Sequence, residues 1–187
     1  MEPAAGERAI HDMTDAEAIA RSRDEPAAFG AVFDRHFQAV YAYAQRRVGL
    51  ALAEEVAAET FARAFELRIR FDTAHASALP WLLGIATNVM RRHWRSERRR
   101  LAAYARAVSH EPPGVLPDPD GDAIRAVARL PRRQREVVLL HAWADLSYEQ
   151  IAIALQLPVG TVRSRLSRAR RTLADSPLAL TEEPSRA

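Results

Sequence analysis

Between Thr161 and Leu173 the sequence reads TVRSRLSRARRTL, in which arginines and hydroxyls are interspersed with apolar residues. Placed on a helix, Val162, Leu166, Ala169 and Leu173 share one narrow sector, while Ser164, Ser167, Arg168 and Arg171 fall opposite, with Arg163 on the flank. The chemistry this suits is nucleic-acid recognition. A guanidinium can bond guanine O6 and N7 together, and a serine hydroxyl can donate to bases or phosphates. Thr161, at the helix start, adds a hydroxyl and free backbone N–H groups suited to a phosphate. The plainer alternative is a solvated basic face on a core helix. A second stretch, Arg91 to Arg100, holds six Arg in ten residues with His93 and Trp94 interleaved. Rings that stack on bases beside arginines that neutralise phosphates suit single-stranded nucleic acid. The alternative here is a basic helix end stabilised by its own dipole, with Trp94 in a core.

Both stretches need elements that hold one face outward. Ahead of the first, Ser147 with Gln150 three residues on is a capping-box pattern opening the helix SYEQIAIAL, and the short turn QLPVG follows. A short helix, a tight turn and a basic helix make the helix-turn-helix layout. Ala152 is small where the helices must cross, and Leu155 and Val162 can plug the corner. Two further helices precede them. One is capped by Asp122 and ends near Leu130; the other is opened by Pro131 and turns Val137, Val138, Leu140 and His141 toward a core. The second basic stretch continues a helix that Pro80 opens, with Leu82, Ile85, Ala86 and Val89 inward. Before it, Pro26 starts a helix whose apolar stripe runs through Phe29, Val32, Phe33, Phe37, Val40, Tyr41, Ala44 and Val48 until Gly49 ends it. A helix from about Ala51 to Arg70 then turns Val56, Thr60, Phe61, Ala64 and Leu67 inward. Nothing alternates with a period of two, so the expected class is all-α.

The segment AVSHEPPGVLPDPDGD, residues 107–122, holds four Pro and two Gly and reads as a flexible linker. It separates a helical domain over 24–106 from a second over 123–175, with loose tails expected at 1–23 and 176–187. All 27 basic residues are Arg, and the net charge of +3 conceals an uneven distribution. Residues 72–106 carry seven Arg against two acids and 123–175 carry ten against four, whereas the linker carries four acids and no Arg. Two basic blocks flanking an acidic stretch suggest two surfaces for a polyanion. With no cysteine in 187 residues, disulfides, thiolate metal sites and a cysteine nucleophile are excluded, which fits a reducing compartment. No apolar run reaches the ~18 residues of a membrane span, and the N-terminus shows no secretion signal. The six His form no HExxH pattern or near-neighbour ligand pair, and no Gly-rich phosphate loop is present. No enzyme activity, cofactor or metal is therefore expected.

Three strings resemble a known family. AEEVAAETFARAFE (53–66), PWLLGIATNVMRRHWRSERRR (80–100) and LPRRQREVVLLHAWADLSYEQIAIALQLPVGTVRSRLSRARRTL (130–173) resemble bacterial RNA polymerase sigma factors of the extracytoplasmic-function type, in the sigma-70 superfamily. The likeness spans about 24 to 174 in the family's order, with a linker where the family has one. It implies that 24–106 is sigma region 2, a bundle of three to four helices, and that 123–175 is sigma region 4 with its helix-turn-helix. The implied function is to bind core RNA polymerase and to direct initiation at promoters by recognising −35 and −10 elements and assisting melting.

On this resemblance, Arg163, Ser164, Ser167 and Arg168 match the positions that contact −35 bases and backbone, beside Arg171, while Ser147, Tyr148 and Thr161 would touch phosphates. Trp81, Asn88, Arg91, Arg92 and Arg95 would lie behind a loop after Phe71 that accepts a flipped base of the −10 strand. Glu54, Glu55 and Glu59 would face the basic coiled coil of the polymerase's largest subunit. The family often has Gln where Ala58 stands, which removes one polar contact from that interface. The acidic linker would thread near the active-site and RNA-exit channels, either mimicking nucleic acid or serving as a spacer. The implied partners are core RNA polymerase, promoter DNA and an anti-sigma protein, with no direct membrane insertion. Apolar surface around Leu139 and Trp143 would suit the anti-sigma or the polymerase flap. The implied setting is the cytoplasm, at the nucleoid or tethered to a membrane through the anti-sigma. The competing reading is a stand-alone helix-turn-helix regulator that binds a palindrome as a dimer.

Overall fold

The structure is a computed structural model. It describes residues 13–107 and 122–175, and within them every side chain except those of 97, 98, 100–107 and 122–124. Among these residues every element is helical, as the apolar periodicity predicts. The chain divides into two compact units between Arg100 and Leu101. The linker expected over 107–122 lies, from 108 to 121, outside the described residues, as does the tail at 176–187.

The first unit begins with a correction. Residues 1–23 read as a loose tail, but the described part of that stretch folds into helix α1 (Asp15–Arg21). Thr14 caps it with a box: the Glu17 N–H donates to the Thr14 hydroxyl at 3.3 Å, and the Thr14 N–H donates to the Glu17 carboxylate at 2.8 Å. Ala18 and Ile19 are fully buried. Pro26 then starts a 3-10 turn over Pro26–Phe29, as its fixed φ favours, and α2 (Gly30–Val48) follows directly. Gly49, at φ +78°, is the sole residue between α2 and α3 (Leu50–Leu67). Ring contacts show that the two helices run antiparallel. Phe29 meets Phe65 at 5.5 Å, and one turn on, Phe33 meets Phe61 at 4.9 Å. Val32, Val40 and Ala44 are buried as expected, but Phe33 is 39% exposed, and His36 and Tyr43 take core positions instead.

A second 3-10 turn (Arg68–Arg70) and the loop 71–78 lead to α4 (Leu79–Ala107). Leu82, Ala86 and Val89 have no exposure and Ile85 little, and Leu83, Thr87 and Met90 are enclosed beside them, so the start of α4 is buried on more than one face. The second unit holds α5 (Asp122–Arg129), α6 (Arg132–Trp143), α7 (Tyr148–Leu155) and α8 (Val159–Ala174). Its core is Leu130, Val137, Leu140, Ile151, Val162 and Leu166. Leu139 is a second correction. Expected at a partner surface, it is 3% exposed, and Val138 is the half-buried member of that apolar run. Trp143 is half-buried.

One polar cluster ties the first unit together. Asp15 is 3% exposed, and its Oδ2 accepts from His36 Nε2 at 2.6 Å and from the N–H of Ala78 at 2.7 Å. Its Oδ1 accepts from Arg35, whose other nitrogen donates to the carbonyl of Met13 at 2.7 Å. Burial pushes this carboxyl upward. The bonds from His36 and the Ala78 N–H, the charge of His36 and the bond from Arg35 outweigh it and hold the pKa at about 2, below its ordinary 3.8. A lowered folded-state pKa gives stability that is present above about pH 4 and is lost as pH falls through about 2. We therefore expect acid titration of urea-unfolding midpoints to lose roughly 2 kcal/mol between pH 5 and pH 2, and Asp15→Asn to flatten that part of the profile.

Candidate nucleic-acid interface

The α7–turn–α8 corner is built by local chemistry. The Ser147 hydroxyl accepts from the Gln150 N–H at 3.2 Å, and the Gln150 side chain accepts from the Ser147 N–H at 2.8 Å, closing the expected box at the start of α7. Gln156 ends α7 in the left-handed region at φ +53°, and the Leu157 N–H returns to the carbonyl of Ala152 at 3.0 Å. Pro158 then caps α8, which starts at Val159, two residues before the expected Thr161. The predicted division of α8 is present. Val162, Leu166 and Ala169 are buried, and Arg163, Ser167, Arg168 and Arg171 are exposed.

Within this face the side chains are already organised. Ser164 is half-buried; its hydroxyl donates to the carbonyl of Thr161 at 3.0 Å and accepts from Arg168 at 3.3 Å. A second Arg168 nitrogen reaches the Ser164 carbonyl at 3.2 Å, so Ser164 acts here as the support that orients Arg168. Thr161 departs from expectation: its N–H donates to Pro158 at 2.9 Å, so the hydroxyl is what remains for a phosphate. The Ser147 hydroxyl is likewise engaged, donating to Glu149 at 3.0 Å while capping α7. The carboxyl of Glu149 is held below the usual range by its own N–H, the Ser147 hydroxyl and the charge of Arg163, against slight burial. Tyr148 packs edge-on against His141 at 5.5 Å and accepts from Arg170 at 3.3 Å. Arg170 is a basic group that the sequence reading missed. Its seven-residue spacing from Arg163, which puts both on one flank of a helix, was the available signal.

The first unit presents its own basic face on α4. Trp81 is half-buried and packs on Phe71 with ring centres 5.1 Å apart, so it fastens the start of the loop 71–78. Asn88 accepts from Arg91 at 2.9 Å, and Arg95 reaches the Arg91 carbonyl at 3.3 Å, which chains these residues along one side of the helix. Trp94 is half-buried beneath the guanidinium of Arg47, 5.2 Å from its ring centre, which favours a packed role over a free stacking platform. Glu54 and Glu55 are exposed on α3. Glu59 instead turns to α4, lying 3.1 Å from Arg63, 3.6 Å from Arg92 and 3.3 Å from His93. Partial burial raises its pKa, but the Arg63 bond, the charges of Arg92 and Arg63, and the His93 bond lower it on balance. Among the described residues no group of three His, Cys, Asp or Glu could hold a metal, and no helix is long and apolar enough to cross a membrane.

Comparison with known proteins agrees with this two-part layout. The family model described as "Sigma-70 region 2" matches residues 32–100, and "Sigma-70, region 4" matches 121–173. The chain is 38% identical over 130 residues to the ECF RNA polymerase sigma factor SigC of Mycobacterium tuberculosis, covering 65% of this chain and 68% of the relative. It is 34% identical over 157 residues to SigL of the same species, covering 80% and 88%. Among solved structures, CnrH in complex with the cytosolic domain of CnrY superposes with a TM-score of 0.61 at 27% identity, over 87% of this chain and 99% of that one.

Phosphate contacts release counterions, so each one leaves a signature in the salt dependence of binding. Arg171→Ala should lower the slope of log affinity against log salt by about 1 for duplex binding by the α7–α8 corner, measured by fluorescence anisotropy. An unchanged slope would remove Arg171 from the interface.

Proposed function

The chain belongs to the extracytoplasmic-function RNA polymerase sigma factors, and we propose that its two helical units read the two promoter elements by different chemistries. As a sigma factor it binds core RNA polymerase and directs promoter-specific initiation. The proposal concerns which residues do this. α8 enters the major groove of the −35 element, with Arg168 as the base-reading fork, Ser167 beside it, and Arg163, Arg171, Thr161 and the Tyr148–Arg170 pair on the backbone. The observation that carries this is Arg168 held over Ser164 on the exposed side of a helix whose other side is buried.

At the −10 element, Asn88, Arg91, Arg92 and Arg95 track the non-template strand, and the loop 71–78, fastened by Phe71 on Trp81, takes the flipped base. Extruding a base costs a few kcal/mol, which contacts in the loop offset. On the polymerase side, Glu54 and Glu55 face the basic coiled coil, and Glu59 chiefly holds Arg92 and His93 in place. Sigma factors are not enzymes, and no catalytic role is proposed for any residue. The setting is the cytoplasm, at the nucleoid. A protein that holds the chain inactive is proposed as a further partner. CnrH is solved in complex with a second protein, and the exposed apolar residues Phe33, Leu50 and Leu52 offer such a partner a surface on the first unit. A stand-alone regulator is not favoured, because it leaves the region 2 match over 32–100 unexplained.

The decisive experiment is transcription in vitro by core polymerase with this chain on genomic fragments, with sequencing of the 5′ ends. A shared pair of spaced elements upstream of the start sites is expected, and random or absent starts would contradict the reading. Within that assay, Arg168→Ala should cost about 1–3 kcal/mol at the −35 element and relax one base position. Glu55→Arg should weaken association with core polymerase about tenfold or more, with the circular-dichroism melting curve unmoved.

A further inference from the structure

Helix α1 lies ahead of the segment that matches region 2, which begins at residue 32, and it bears none of the promoter- or polymerase-facing residues. Its polar groups nonetheless reach both ends of the loop 71–78. Just past its C-terminal end, the Ser22 carbonyl accepts from Arg68 at 3.3 Å, and Arg23 donates to the Ile69 carbonyl at 3.5 Å; Arg68 and Ile69 belong to the 3-10 turn that leads into Phe71. At its N-terminal end, Asp15 accepts the N–H of Ala78 at 2.7 Å, where the loop closes into α4. A seven-residue helix is about 10 Å long, whereas an eight-residue segment left free can span up to about 26 Å. The helix therefore sets a separation that the loop alone would not keep.

The loop's internal bonds shape it without placing it. Asp72 accepts from the N–H of Ala74 at 3.0 Å and from that of His75 at 3.2 Å, and the Ser77 hydroxyl accepts from the Leu79 N–H at 3.2 Å. Ala18 and Ile19 are fully buried and seat α1 against the unit by packing. A buried carboxylate adds a desolvation cost that packing does not require. What it adds is direction, since Oδ2 joins α1, α2 and the loop end at one atom. We propose that α1 is a brace for the base-accepting loop, in which Asp15 through the Ala78 N–H and Ser22 through Arg68 fix both loop ends before DNA arrives. Asp15 is a positioning residue and touches no DNA. Its effect is to remove the ordering cost that a wandering loop would bear on capturing a base. The proposal rests on the reading that residues 71–78 take a −10 base.

The test uses the full chain assembled with core polymerase and single-stranded oligonucleotides carrying the −10 sequence of a promoter this holoenzyme transcribes. A matched set has each −10 base replaced in turn, and binding is followed by fluorescence anisotropy. Asp15→Asn and Arg68→Met should both assemble with core polymerase and bind a −35 duplex as wild type does. Both should bind the cognate oligonucleotide tenfold or more weakly, so that the ratio of cognate to replaced-base affinity collapses toward one. A purely structural role would lower the melting temperature and leave that ratio intact below it. Wild-type ratios in both variants overturn the brace. If Asp15→Asn fails to fold, as circular dichroism would show, Arg68→Met decides alone, since Arg68 is part-exposed, its hydrogen bonds go to carbonyls, and an apolar stem remains beside the Phe65 ring it covers. A wild-type holoenzyme that does not discriminate among the oligonucleotides marks a failure of the −10 reading itself, and the brace falls with it.

Discussion

A carboxylate taken out of water must be answered by donors, and Asp15 is answered by three at once, from two separate elements. His36 and Arg35 come from α2 and the Ala78 N–H from the end of the loop, 21, 20 and 63 residues away in sequence. Losing any one of them would leave charge or donors uncompensated in the interior, which is costly. The arrangement therefore constrains where α1, α2 and the start of α4 sit. The first unit is small and its apolar core correspondingly thin, so a directional tie does work there that mass of packing does in larger domains. The second unit has a buried carboxylate of its own in Glu136, and one of its contacts, Arg132 at 3.1 Å, lies one turn away on the same helix. That contact runs within one helix, and the α7–α8 corner is set by a capping box, a left-handed Gln156 and apolar contacts.

The two basic faces proposed to read DNA differ in how their charges are held. On α8 the arginines stand on a helix whose opposite side is buried, and Arg168 is pre-aimed by a neighbouring hydroxyl and carbonyl. On α4, Arg92 leans on Glu59 and Arg91 on Asn88, so part of the basic face is balanced by groups of its own unit. A duplex groove rewards fixed geometry, because base edges are presented at set positions. A melted strand rewards a graded positive track with pockets for unstacked bases, which tolerates such internal pairing.

How much of this could be read from the sequence depended on the range of the interaction. The long helices were legible because each repeats its apolar spacing over several turns, and the helix-turn-helix was legible because Ser147 and Gln150 carry the capping signal within four residues. α1 was not. Two turns of DAEAIAR show too little periodicity, and Asp15 looks like an ordinary first-turn acid until its distant partners are in place. Leu139 was misplaced because VVLL is apolar throughout, so the pattern alone could not tell which residue turns outward. The Thr161 amide and the Tyr148–Arg170 pair depended on turn geometry and on a contact across 22 residues.

Gly49 has a further consequence. At φ +78° and ψ 172° it occupies a backbone region that L-amino acids with a side chain essentially never enter. Yet a Cβ built there would meet no atom within 4 Å. The site has room for a Cβ but torsional permission for almost no residue that carries one. Mutational drift at this hinge is thus policed by the main chain itself, and a change of one codon there would be felt in the edge-on ring contacts between α2 and α3.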